Sequence, residues 1–74
     1  MKPKSFTRVS LYPHVKSLVA EARRVKYTVV EEPDMYAEVR DPDNANALVF
    51  RAVHIEPKIW AVTYSTQYWG EANP

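Results

Sequence analysis

The sequence holds no cysteine and a single glycine, Gly70, among its 74 residues. The first absence excludes disulfides and any cysteine-ligated metal, and it fits a reducing compartment. The second excludes a glycine-rich phosphate loop and makes turns depend on Pro, Asp and Asn. No apolar run approaches the roughly 18 residues that a membrane-spanning helix requires. The basic start MKPKSFTRVS is not followed by the apolar segment of a secretory signal. The expectation is a cytoplasmic single domain over residues 1–74, with no membrane partner and no cofactor. At this length a lone core supplies only about 3–5 kcal/mol, so association with another chain helps.

Catalytic groups are equally scarce. His14 and His54 are the only histidines, and neither has a second strong ligand at metal-binding spacing, so no metal site is expected. Asp41-Pro42-Asp43-Asn44-Ala45-Asn46 starts like a calcium loop. It then has Ala45 at the fifth position, no glycine, and Ala52 where the bidentate Glu belongs. The four serines have no legible His-Asp arrangement around them. A small ribonuclease needs less, and Glu38, Arg51, His54 and Tyr64 would be its candidate groups on a sheet.

Charge is abundant and unevenly placed. Residues 1–26 carry seven basic side chains (Lys2, Lys4, Arg8, Lys16, Arg23, Arg24, Lys26) against Glu21 alone, whereas residues 27–74 carry three against eight acids. Such a split fits a basic surface for polyanions, or a helix and sheet that attract each other, or two subunits that do. The net charge of +1 is small for a dedicated nucleic-acid binder.

Periodicity predicts a helix from Ser10 to Lys26. Ser10 is placed to cap it and Pro13 falls in its first turn. Leu11, Val15, Leu18, Ala22 and Val25 form the apolar stripe, with Lys16, Arg23 and Arg24 opposite. Strands follow over Tyr27–Glu32 and Met35–Arg40, ended by Pro33-Asp34 and by Asp41-Pro42. In the second strand Met35, Ala37 and Val39 face one way, and Tyr36, Glu38 and Arg40 the other. A long hairpin over 47–69 comes next, ALVFRAVHI and IWAVTYSTQYW around Glu56-Pro57-Lys58. Residues 1–9 form either a basic arm or an edge strand from Ser5 to Val9, and residues 70–74 a frayed tail. The fold class is α+β, one helix on a four-stranded, at most five-stranded, antiparallel meander.

The hairpin's register decides its faces. A two-residue turn at Pro57-Lys58 sets Trp60 and Val62 beside Ile55 and Val53. A three-residue turn sets them with Ala52, Phe50 and Leu48. With no glycine for the left-handed position of the longer loop, the shorter turn is expected. Under either register bulky residues remain on a second face, and one helix cannot cover both.

That surplus points to a non-catalytic interaction protein, an accessory subunit or inhibitor that occupies a partner protein's surface, including that of a second copy. Val49, Arg51, Val53, Tyr64 and Trp69 are the interface candidates. The alternative is nucleic-acid binding through the basic arm and outer helix face, by Lys2, Lys4, Arg8, Lys16, Arg23 and Arg24. A ribonuclease-like enzyme is third. The length and the helix-then-meander pattern resemble many small phage and mobile-element proteins, and no motif names a family.

Overall fold

A computed structural model describes residues 4–70. Five strands, β1 (Ser5–Leu11), β2 (Thr28–Glu32), β3 (Tyr36–Asp41), β4 (Ala47–Glu56) and β5 (Ile59–Ser65), form one antiparallel sheet in the order β1-β5-β4-β3-β2. Helix α1 (Tyr12–Arg24) crosses one face, and a single-turn helix α2 (Thr66–Trp69) follows β5. The result is α+β, a plate with extents of 33 × 30 × 15 Å. The N-terminal segment is the edge strand rather than an arm, with Ser5 opposite Ser65 and Leu11 opposite Ile59. Residues 1–3 and 71–74 lie outside the described part; of the expected tail only Gly70 is within it, as the C-cap of α2 with its N–H on the Thr66 carbonyl at 3.0 Å.

The core is one cluster between α1 and the sheet. Val15, Val19 and Ala22 of the helix meet Ala37, Val39, Val49, Phe50, Ala52, Trp60, Val62 and Tyr64. The helical stripe is shorter than the sequence period implies. Ser10 and Leu11 are taken by β1, opposite Trp60 and Ile59, so the helix starts at Tyr12 with Pro13 in its first turn and no side-chain cap. Ladder pairing outweighs the cap that Ser10 offers, because it satisfies backbone groups of both strands. Leu11 and Val25 are left exposed, and Val19 takes a buried place in the helix face.

The hairpin between β4 and β5 resolves its register in an unexpected way. Its turn is the short one, with Glu56 opposite Ile59 around Pro57-Lys58, but a bulge lets Ile55 and Glu56 together oppose Ile59. Beyond the bulge His54 pairs with Trp60, Ala52 with Val62 and Phe50 with Tyr64. The short turn therefore delivers the face assignment of the longer one. Lys58 takes the left-handed position at φ +67°, as do Lys26, Asp34, Ala45 and Asn46 elsewhere. With no glycine in any of these turns, residues with a side chain bear the steric cost of φ > 0.

The second arm ends earlier than its composition suggests. Ser65 Oγ accepts a hydrogen bond from Gln67 N at 3.3 Å, an N-cap that turns the chain into α2 before Tyr68 and Trp69. Trp69 then folds back over the sheet, donating from Nε1 to the Val49 carbonyl at 3.0 Å and meeting Tyr64 edge-on at 4.9 Å between ring centroids. A second bulge, where β3 passes from Val39 to Arg40 and β4 from Phe50 to Leu48, turns Val49 inward beside Phe50.

Candidate sheet-face binding site

Helix α1 and α2 both lie on one side of the sheet, and directly opposed residues share a face. The other side is open. One file across it reads Thr7, Thr63, Arg51, Glu38, Val30, and the next reads Val9, Ala61, Val53, Tyr36, Glu32. Leu11 and Ile59 form a third, closed by Ile55 and Glu56 at the bulge. The two halves of this face differ in chemistry.

The half near the β4–β5 turn is aliphatic. Val9 is 67% exposed, Leu11 58%, Ile55 53% and Val53 39%, with Ala61 and Ile59 half-buried between them. These residues are uncovered because α1, the one long helix among the described residues, lies behind the sheet. Contiguous aliphatic groups on a monomer's surface mark an interaction site more often than scattered ones do.

The other half is an ionic network along β3. Glu38 accepts from Tyr36 Oη at 2.5 Å and from Arg40 Nε at 2.8 Å. Arg40 also donates to the Asn46 carbonyl at 3.1 Å, which fixes the β3–β4 loop. Arg51 Nε lies 3.6 Å from Glu38, close enough for an ion pair and too far for a hydrogen bond. The Arg40 hydrogen bond, and then that of Tyr36, hold the Glu38 carboxyl below its usual range. The same contact with Glu38 pushes the Tyr36 phenol up. Two guanidinium groups thus share one carboxylate, and the network keeps one positive charge in excess.

The five expected interface residues do not converge. Arg51 and Val53 are neighbours on the open face. Val49 and Tyr64 are core residues, 3% and 6% exposed, because the β3–β4 bulge turns Val49 inward and Trp69 folds over Tyr64. Trp69 is part-exposed but sits on the helix side. Val9, Leu11 and Ile55 were missing from the expected set, and the period-2 alternation of Val9 and Leu11 in β1 was the signal for two of them.

The basic set is dispersed as well. Lys2 is outside the described residues, and Lys4 precedes β1. Arg8 lies over the Phe6 ring at 5.6 Å, and Lys16 Nζ over Tyr12 at 5.5 Å. Arg23 pairs with Glu31 of β2 and Arg24 with Glu21 of its own helix, so both guanidinium groups are already engaged with carboxylates. The ribonuclease-like set is split by the sheet itself. Glu38 and Arg51 are on the open face, whereas His54 packs against Trp60 at 5.2 Å and Tyr64 is buried, both on the helix side. Asp41 of the calcium-like loop is structural. One carboxylate oxygen accepts from Asp43 N at 2.9 Å and the other from Tyr68 Oη at 2.7 Å.

The chain matches no known protein family, no curated protein and no solved structure. No helix among the described residues is long and apolar enough to cross a membrane.

Proposed function

We propose that this chain is a non-catalytic interaction module, an accessory subunit or inhibitor, that docks the open side of its sheet on another protein. The observation that carries this is the uncovered aliphatic cluster of Val9, Leu11, Val53 and Ile55, set beside an ionic network with one cation in excess. The partner surface is accordingly apolar where it covers Val53, with a carboxylate opposite Arg51 and none opposite Glu32 and Glu56, which share this face. The 33 × 30 Å plate offers a footprint comparable with the roughly 800 Å² per partner of standard interfaces.

A photo-cross-linking residue at position 53, with position 43 in the β3–β4 loop as control, tests this in the native host. The expected result is a protein captured from position 53 and not from 43, which as a purified protein binds the unmodified chain. Val53→Asp then weakens that binding by more than tenfold, and Arg51→Glu by about tenfold, with circular dichroism unchanged. Equal capture from both positions, or binding indifferent to Val53→Asp, overturns the reading.

One observation favours nucleic acid as a second reading. A groove of about 440 Å³ between β1 and the helices is lined by Phe6, Arg8, His14, Tyr64 and Trp69 with no acid among its lining residues. Aromatic side chains beside a cation suit unpaired bases. This reading requires single-stranded RNA or DNA to be retarded at low salt and released by moderate salt, with Arg8→Glu abolishing the retardation.

A further inference from the structure

The two edges of the sheet are defended to different degrees. β2 is five residues long, carries Glu31 and Glu32, and runs into Pro33. Short length, charge and proline are the ordinary means of keeping an edge from pairing. β1 is seven residues long, has no proline, keeps an unbroken register with β5, and carries one charge, Arg8. Arg8 is opposite Val62 and so on the helix side, away from the open face.

The backbone groups that β1 leaves free can be identified. Thr66 N donates to the Lys4 carbonyl at 3.0 Å, and Tyr12 N donates to the Lys58 carbonyl at 3.3 Å. These bonds sit at the two ends of the β1–β5 ladder, in register with it. Hydrogen-bonded pairs alternate along an antiparallel ladder, so the even-numbered residues of β1 turn their N–H and C=O groups toward β5. Ser5, Thr7 and Val9 turn theirs outward, where no strand among the described residues meets them, whereas the carbonyl of Leu11, the N-cap residue, is taken by the first turn of α1.

We infer that β1 pairs antiparallel with β1 of a second copy, about a two-fold axis at Thr7, to make one ten-stranded sheet. The register follows from charge and length. An axis at Arg8 would set two guanidinium side chains directly opposite one another, which is repulsive. An axis at Val9 would run the pairing into α1 after Leu11. An axis at Thr7 matches Ser5 with Val9, Phe6 with Arg8 and Lys4 with Ser10, with no like charges opposed. It also repeats between copies the Arg8–Phe6 contact already made within one chain. Opposed residues share a face, so both open faces look the same way. Resting on the docking role proposed above, the dimer presents two such faces side by side, and a partner with two sites gains from their linkage.

The test uses the full chain and the absence of cysteine. Sedimentation equilibrium at rising concentration is expected to give twice the 8.6 kDa of one chain. Thr7→Pro, which removes an outward backbone donor and no backbone bond to β5 but does lose the 3.1 Å contact between the Thr7 and Thr63 hydroxyls, is expected to return the mass to a single chain. Thr7→Cys is expected to form a disulfide-linked dimer on mild oxidation. Val30→Cys, in the same file at the opposite edge, is expected to stay reduced under those conditions. If Thr7→Pro unfolds by circular dichroism, the cysteine pair decides alone. A single-chain mass at every concentration, or cross-linking of Val30→Cys ahead of Thr7→Cys, overturns the edge assignment. Val53→Asp separates the two proposals. Loss of partner binding with the dimer intact supports both, while loss of the dimer places self-association on the face and overturns this register.

Discussion

On the helix side of the sheet Val39, Phe50, Ala52 and Val62 are fully buried, while on its other side Val9, Val53 and Ile55 stay in contact with solvent. The residue types are alike, and β4 contributes to both sets. What differs is the lid. Helix α1 brings Val15, Val19 and Ala22, small side chains that let it sit close to one face, and nothing comparable among the described residues lies over the other. Burial here follows from which side the β1–α1 connection leaves the sheet, not from apolarity alone. The open half of the molecule is stabilised by the ladder and by Glu38's contacts rather than by closure, and it keeps its aliphatic groups available.

The comparison breaks most directly by truncating one residue on each side. Phe50→Ala is expected to remove about 3–5 kcal/mol, enough to unfold a domain of this size, whereas Val53→Ala is expected to stay within about 0.5 kcal/mol. Urea titration followed by circular dichroism measures both, and similar losses would mean that the two faces are not differently closed. A smaller effect of opposite sign is expected in the β3–β4 loop. Ala45 holds φ +53° with a Cβ, so Ala45→Gly is expected to stabilise by about 1 kcal/mol in the same assay.

A further small effect, and one that depends on pH, belongs to the ionic half. Glu38 has its pKa lowered in the folded chain, so its contribution is present above the ordinary carboxylate range, near pH 4.3, and is lost as pH falls through the folded value. Glu38→Gln is expected to cost no more than about 1 kcal/mol at neutral pH, as partly exposed ion pairs do, and to become neutral in strong acid. A mutant whose stability tracks the parent's at every pH would show that the network contributes nothing.

The alternation of Tyr36, Glu38 and Arg40 against Ala37 and Val39 makes β3 legible, and Ser5 to Val9 reads as an edge strand or a basic arm, of which the strand is the one formed. Both signals are local, a period of two with turn residues at the end. The bulges were not legible. One extra residue at Ile55 reverses every face assignment in the hairpin, and one at Val49 carries an expected surface residue into the core. Both depend on how a strand meets its neighbour, which no single segment encodes. Trp69 escaped for a related reason. Its strand-like composition is overridden by the Ser65 cap, a hydrogen bond of two-residue reach within a run of β-formers.

The pairing of β1 with β5 has a consequence for the order of assembly. Ser5 and Ser65 are partners, so during synthesis the strand of this sheet that is made first waits for the one made last. The helix and the β2–β5 meander can form by short-range closures, and β1 joins only after some sixty residues have followed it. Removing β1 would therefore bare the β5 edge without dismantling the meander, and a nascent chain passes through that bare-edged form each time it is made.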